Sequence, residues 1–438
     1  MYKLFFLTFF FIGLTSGKAQ PITNSAVAEQ KSMQLYFNQD WKQLIKYGEK
    51  AISEGYDYFY IRMRVGIAYF EQKKYIKAIQ HFEKAVQFNS DTLALEYLYY
   101  SYVFSGRANE ARALSTYFPS TLTNKIRPSN KLIEGAYAEC GIGLSNLNNV
   151  YKTIDIDGQF NIYGESTITK NMQYWHIGTS HQLGNKWSLY QGYSNIGIDF
   201  LRDIKINDKD TLDAYQLIQR DYYISATGIY KRVSISPAFH FINVGFGKLN
   251  AGYDSFQNKY IFTKKDTSFI NYATSIVLSK SIGIFTYNLY TGYSKLNSYN
   301  QLQAGISVAY FPFANTNFYG SSMLVYLNEN NTNRIIAGQK LGIKLLSKVW
   351  AEGGITYGNL QNYTENNAFV VFNTGDKILY KYGFAIISPA FNHLELSLRY
   401  DCFNRENTYS RMNNTYTIEP VSIIYKTQTI VGGLKWTL

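Results

Sequence analysis

Beyond its first twenty residues the chain has no apolar run of the roughly 20 residues that a membrane-crossing helix needs, which excludes a helical membrane protein. Two cysteines in 438 residues exclude a disulfide-stapled scaffold. Charge is scarce too: Asp, Glu, Lys and Arg make up 17% of the chain, against roughly 25% in an ordinary soluble domain. The five histidines, at positions 81, 176, 181, 240 and 393, form neither a two-His helix motif nor a Cys/His cluster of ligand spacing, so no metal and no cofactor is expected. There is no G-x-S-x-G either. Gly192-Tyr193-Ser194 continues into Asn195 and Ile196, which leaves Gly197 one position late, and no catalytic residue is assigned.

What is abundant points elsewhere. Forty-one Tyr and 29 Phe lift aromatics to 17%. With a mean hydropathy of −0.22 the chain is too polar for a helix bundle in lipid. Low charge with many Tyr, Asn, Ser, Thr and Gly suits the other architecture that satisfies its backbone inside a bilayer, the closed β-barrel. A formal charge of +12 suits the anionic surface of outer-membrane lipid or an acidic polymer through unspecific Coulomb attraction.

Residues 1–19 read as a secretory signal: Lys3, an apolar stretch from Leu4 to Leu14, then Gly17 and Ala19 at the −3 and −1 positions of a cleavage site. Gln20 is the expected mature N-terminus, and an exported chain makes nucleic acid a poor partner. From 20 to 118 apolar residues recur at helical spacing with a rhythm near 34 residues. In Phe59 to Thr92, counted as one unit, Gly66, Tyr69, Ala78, Phe82 and Ala85 fall at positions 8, 11, 20, 24 and 27, where a tetratricopeptide repeat (TPR) places its packing residues. Asn89, Ser90 and Asp91 make the turn where that family usually has Pro. A looser unit precedes it, with Trp41, Leu44, Ile45 and Ala51. Another follows, with Tyr99, Tyr102, Gly106, Arg107 and Ala111. Three helical pairs are about the minimum that buries a continuous core by stacking.

A polar linker is expected over 119–130. From 131 to 438 the period becomes two, as in Leu302, Ala304, Ile306, Val308 and Tyr310, or Leu394, Leu396, Leu398 and Tyr400. One apolar and one polar face describe a half-buried strand. About a dozen such strands alternate with connections of unequal length. Long loops are expected near 201–213, 249–267, 359–376 and 404–414, and short turns at Gly184-Asn185, Lys280-Ser281 and Pro312 to Asn315. Residues 146–168 read as either a strand or an extracellular hairpin, and Glu419-Pro420 as either a loop or a kink in one long final strand. The prediction is an antiparallel outer-membrane barrel of 12 to 16 strands, 14 favoured. Aromatic residues gather near strand ends, among them Tyr174, Trp175, Trp187, Tyr222, Tyr223, Tyr310, Phe311, Trp350 and Trp436, as rings at a lipid interface do.

On the polar faces lie Glu139, Lys340, Lys344, Glu395, Arg399, Asp401 and Lys435, expected to be luminal charges of a wet channel or of a lumen closed by salt bridges. An interior of about 14 strands is wider than its own wall side chains usually fill. Cys140 and Cys402 fall on apolar faces and are expected as free thiols toward lipid. His176 and His181, five apart on one strand, are expected on opposite faces.

The last strand, Thr429 to Leu438, with Ile430, Leu434, Trp436 and Leu438 on one face, resembles the C-terminal strand that assembly machinery recognises in outer-membrane barrels, with Leu where Phe is commoner. The order of signal, tetratricopeptide repeats and C-terminal barrel resembles the repeat-plus-barrel family related to exopolysaccharide-export porins. The export proteins usually carry many more repeats. The resemblance implies an outer-membrane address, helical repeats in the periplasm that dock a protein partner, contact with outer-membrane lipid, and polysaccharide as a candidate cargo. The expected function is non-enzymatic service in envelope export or assembly. Two alternatives are a barrel enzyme acting on lipid or polymer, and a closed barrel that only anchors the repeats.

Overall fold

A computed structural model describes the chain apart from residues 1–21, 23, 130, 148–160, 207–208, 255, 258 and 414–416. The expected signal and its cleavage point lie outside the described residues, as does most of 146–168. The architecture is a stack of helices followed by a closed antiparallel β-barrel.

Seven helices come first: α1 (Ser25–Phe37), α2 (Trp41–Ser53), α3 (Phe59–Glu71), α4 (Tyr75–Phe88), α5 (Thr92–Phe104), α6 (Ala108–Ser115) and α7 (Ser120–Ile126). Side chains at Asn24, Asp40 and Asp91 accept the first free N–H groups of α1, α2 and α5, so these helices start where an Asn or Asp precedes an apolar periodic run. The Asn89 to Asp91 turn thus ends α4 and caps α5. Gly66, Tyr69, Ala78, Phe82 and Ala85 are all buried at the α3–α4 contact. A Cβ at Gly66 would lie 2.6 Å from the Phe82 ring, so only glycine permits this approach. Phe82 in turn stacks on Tyr97 of α5 at 5.2 Å, which couples one pair to the next. The segment 119–130 is not wholly a linker. Pro119 starts α7, a helix a sequence rich in Ser, Thr and Asn does not announce.

Fourteen strands close the barrel. They are β1 (Ile133–Ser145), β2 (Asn161–Leu183), β3 (Trp187–Ile206), β4 (Lys209–Tyr230), β5 (Val233–Asp254), β6 (Lys259–Ile282), β7 (Phe285–Leu296), β8 (Tyr299–Tyr310), β9 (Phe318–Glu329), β10 (Thr332–Leu346), β11 (Val349–Tyr357), β14 (Lys377–Phe391), β15 (Leu394–Asn413) and β16 (Ile418–Thr437). Two short strands, β12 (Thr364–Glu365) and β13 (Val370–Val371), form a separate hairpin between β11 and β14. Each wall strand pairs antiparallel with its neighbours in sequence, and β16 returns to β1 with Trp436 opposite Ala136 and Ile430 opposite Ile142. The final strand is one long element that contains Glu419-Pro420.

The period-two pattern decides the faces. Ile142, Leu144, Ile177, Ile306, Leu324, Ile335, Leu341 and Ile343 point outward and are exposed, while Glu139, His176, Ser194, Gln303 and Thr429 point inward and are buried. Apolar side chains therefore cover the outside and polar ones the inside, the inverse of a water-soluble fold.

Much of three expected loops is strand. Residues 201–206 and 209–213, 249–254 and 259–267, and 404–413 extend the walls, so that β6 has 24 residues where β9 has 12. Polar strands that rise past an apolar belt read as loops in sequence because neither face is apolar. The turn expected at Lys280-Ser281 lies later, at Gly283 (φ +60), with β6 running to Ile282. At the high rim β2 is irregular between Thr169 and Asn171, and above that point its start pairs with β15 through Glu165 opposite Ser410.

The helices dock on the short-turn rim. The backbone N–H of Ile76, at the start of α4, donates to the Ala314 carbonyl of the β8–β9 connection at 3.0 Å. Asn315 there donates to the Lys73 carbonyl at 3.1 Å. The start of α4 has no side-chain cap of its own, so the barrel turn satisfies a donor that the helix leaves free. Arg232 in the β4–β5 turn pairs with Glu83 at 3.0 Å, and Arg112 of α6 with Glu134 of β1 at 2.5 Å.

Candidate functional site

The fourth expected loop is real, and it folds into the lumen. After Gly358 (φ +125), residues 359–376 leave the wall, and β12 pairs with β13 as an inward hairpin. Its base is apolar: Leu360, Tyr363 and Phe372 are buried against inward-facing Val325, Leu327, Ile336 and Ile378. Its tip reaches the opposite wall. There Tyr223 donates to the Asn367 carbonyl at 3.0 Å, Ser275 to Asn367 Oδ1 at 2.8 Å, and His240 Nδ1 lies 2.8 Å from the Ala368 carbonyl. The Phe369 ring packs edge-on against Tyr223 at 5.0 Å and His176 at 5.2 Å. Asn366, Asn367 and Ala368 are all left-handed at the tip, a conformation that Asn tolerates and Ala resists. The strain persists because contacts from β4, β5 and β6 hold the tip.

Beneath the hairpin a cavity of about 640 Å³ extends toward the short-turn rim. One of its walls, from β10 to β15, carries charge. Lys340 pairs with Glu352 at 2.5 Å, and Tyr319 donates to the same carboxylate at 2.5 Å. Lys381 pairs with Glu365 of the hairpin. Arg399 lies 3.3 Å from both Glu139 and Asp401. Glu139 is 5% exposed and also accepts from Tyr137 and Tyr174, so it is a fully partnered buried carboxylate. The facing wall offers Ser225, Thr227, Ser236, Asn288, Ser307 and Ser321, without a charge.

All seven sequence-assigned charges sit on inward faces, but they do not form one group. Glu139, Arg399 and Asp401 form a cluster, and Lys340 stands with Glu352. Lys344 lies over the Trp350 ring at 4.7 Å near the short-turn rim. Glu395 and Lys435 face each other in register at that rim. Glu352 and Lys381 were readable from alternation alone, in Glu352-Gly353-Gly354 and Lys381-Tyr382-Gly383, whereas Glu365 belongs to the hairpin and carries no periodic signal.

His176 points inward and His181 outward, on opposite faces of β2. His176 Nδ1 lies 2.8 Å from Ser194 Oγ and Nε2 lies 2.5 Å from the Tyr190 hydroxyl. Cys140 is exposed on the outer face, and Cys402, on the same face, is covered; both are free, and β16 lies between their strands. Among the expected interface rings Trp175, Trp187 and Trp436 are outward and exposed, but Tyr174 and Tyr223 point into the lumen, where their hydroxyls bind Glu139 and Asn367. Among the described residues no group of His, Cys, Asp and Glu could hold a metal ion.

No protein-family model and no curated protein matches this chain. Among solved structures, it is similar to a Pseudomonas aeruginosa FadL homologue, with 9% identity and a TM-score of 0.44 over 74% of this chain and 94% of that one. It is also similar to the Pseudomonas putida toluene transporter TodX, with 7% identity and a TM-score of 0.41 over 74% and 91%. A 24% share of the chain is similar to the AMB-1 form of MamA, with 20% identity, a TM-score of 0.21 and 55% of MamA covered. The chain thus spans about half the length of the MamA chain that it matches.

Proposed function

We propose that the chain is a non-enzymatic outer-membrane barrel whose helical module docks a periplasmic protein and whose lumen serves envelope export or assembly, with polysaccharide as the cargo class. The apolar exterior supports the membrane address. In barrels of this kind the short turns face the periplasm, and the helical module is docked on that rim. The observation that carries the reading is the lumen itself. A cavity that carries charged and hydroxyl side chains among apolar ones extends toward the helical module and is stoppered on the far side by one hairpin, 359–376. A hairpin is a part that can move without breaking the wall: its two strands pair with each other, and its backbone meets β14 at the base, where the Leu360 N–H donates to the Ile378 carbonyl.

Conductance in a planar bilayer tests this. The full chain should stay near the lipid background, and a variant with residues 361–374 replaced by a short Gly-Ser link should open steadily. A silent deletion variant with an intact barrel would remove the export reading and leave an anchor for the helices.

The hydrolytic alternative has the Ser194–His176 contact in its favour. The second nitrogen of His176 meets the Tyr190 hydroxyl where a triad needs a carboxylate, and Phe369 covers the ring. Phospholipid turnover should therefore be unchanged in Ser194→Ala.

A further inference from the structure

We infer that the lumen contains a binding site for a neutral, hydroxyl-rich ligand of the oligosaccharide class, seated on Gly354 between the Lys340–Glu352 and Arg399–Asp401 pairs. The inference rests on the export reading and names what the cavity takes.

The wall register places the parts. Lys340 of β10 is opposite Gly354 of β11, Gly354 is opposite Gly383 of β14, and Gly383 is opposite Asp401 of β15. Four neighbouring strands thus present, at one level of the lumen, a cation, two bare backbones and a carboxylate. Three strand spacings separate the flanks, about 14 Å. The level beside it repeats the charges in reverse, with Glu352 below Lys340 and Arg399 below Asp401. Each end of the bare floor therefore shows the cavity one cation and one carboxylate, with Glu139 buried behind Arg399.

The two glycines have different reasons. A side chain at Gly383 would strike Asp401 and the Tyr400 carbonyl, so packing requires glycine there. At Gly354 no positive φ is needed, and a Cβ would meet nothing nearer than the Gln339 carbonyl at 3.2 Å and Lys340 Cα at 3.7 Å. A Cβ at Gly354 asks the Gln339 carbonyl to give by a few tenths of an ångström, far less than the overlap a Cβ at Gly383 would make. The absence of a side chain at Gly354 keeps space open on the cavity side, as a glycine does where a ligand approaches backbone.

Charge selects the ligand class. The charged residues lining the cavity are Lys340, Lys381, Arg399, Glu352, Glu365 and Asp401, three of each sign, although the whole chain carries +12. A charged ligand gains at one member of each pair and loses at the other. A hydroxyl donates to the carboxylate and accepts from the cation, so several hydroxyls can be satisfied at both ends together. Lys340 and Arg399 remain 50% and 43% exposed despite their partners, leaving donors turned to the cavity. The Ser, Thr and Asn wall opposite offers more of the same neutral chemistry.

The test uses the full chain in detergent, with maltohexaose as the neutral probe and a hexamer of polygalacturonate as the acidic one, titrated by calorimetry. Maltohexaose should bind, and Gly354→Leu and, separately, Lys340→Met should each weaken it by about tenfold or more while heat-modifiable gel mobility reports an intact barrel. Binding undiminished in both variants would overturn the site. Acidic hexamer bound more than about tenfold tighter than maltohexaose, or no maltohexaose binding by either the full chain or the 361–374 deletion, would overturn the ligand class. Conductance separates this inference from its parent. An open deletion variant that ignores maltohexaose sinks the ligand class alone, whereas a silent one sinks the export reading.

Discussion

Glu29, Glu49 and Asp57 are the acid-sensitive points of the helical module. The Arg64 guanidinium bonded to Glu29 holds its carboxyl below the usual range, His81 bonded to Glu49 does the same, and so does Arg62 with Asp57. A lowered folded value means that the stabilisation is complete above the unfolded value of about 4 and is lost as pH falls through the lower folded ones. The helical signal of the full chain should therefore melt earlier at pH near 3 than near 6, and Glu49→Gln should narrow that gap by lowering stability only at the higher pH. Unchanged melting between the two pH values would discard the idea. Packing gives a second residue-level expectation. Ala at Gly66 gains about 1 kcal/mol of helix propensity, but it forces the Phe82 ring away from a 2.6 Å contact, and overpacking of this kind costs about 1–3 kcal/mol. Gly66→Ala should lower the denaturation midpoint of the helices, and a rise would show that Phe82 swings clear freely. These positions were legible because Gly66, Ala78 and Phe82 recur at repeat spacing. His81 and Glu49 were not, since their pairing joins α4 to α2 and leaves no local pattern.

The wall strands and the luminal hairpin differ in how the sequence encodes them. A wall strand announces itself through alternation, which sufficed to put Glu139, Arg399 and Asp401 on one inner face. The hairpin at 359–376 has only turn residues and scattered apolar ones, and it is fixed by contacts with strands far away in sequence. One signal did exist: Val325, Leu327 and Ile336 are apolar on faces that should be polar, because they receive Leu360, Tyr363 and Phe372. The tip is held mainly by Phe369 and by hydrogen bonds to backbone carbonyls. Removing a half-buried ring costs about 1–3 kcal/mol, less than the 3–5 of a fully buried one. Phe369→Ala should thus raise local opening, read as amide exchange at Thr364 to Val371, by about tenfold to a hundredfold with wall amides unchanged. Equal exchange in both proteins would mean that the tip is held without the ring. At the other rim Arg112→Glu would face Glu134 across what is now a 2.5 Å pair. The expected outcome is faster proteolysis between α7 and β1, and undiminished resistance would show that the Ile76, Asn315 and Arg232 contacts hold the module without it.

For the whole molecule, one question governs the rest: what the outside of the barrel touches. Ile306 on β8 and Leu324 on β9 are opposite each other in register, midway along their strands, and about half exposed. Surrounded by water, an exposed Ile gives up little when changed to a charged residue, and the effect should stay within about 0.5 kcal/mol. Facing acyl chains at the bilayer midplane, Arg costs about 2–4 kcal/mol, a cost that falls to about 0–1 near the interfaces. The two environments thus differ by more than the error of a folding titration. Ile306→Arg, refolded into lipid vesicles and titrated with denaturant, should lose about 2–4 kcal/mol, whereas Ser307→Arg, one residue along and facing the lumen, should lose less because water and the Asn288 amide are at hand. The contrast between adjacent positions is what matters. A membrane imposes a side-by-side asymmetry of period two, and a soluble barrel with a wet exterior would show the larger penalty at position 307, the face turned inward. Equal small losses at both positions would leave the apolar belt without its lipid, and the proposed address would fall with it.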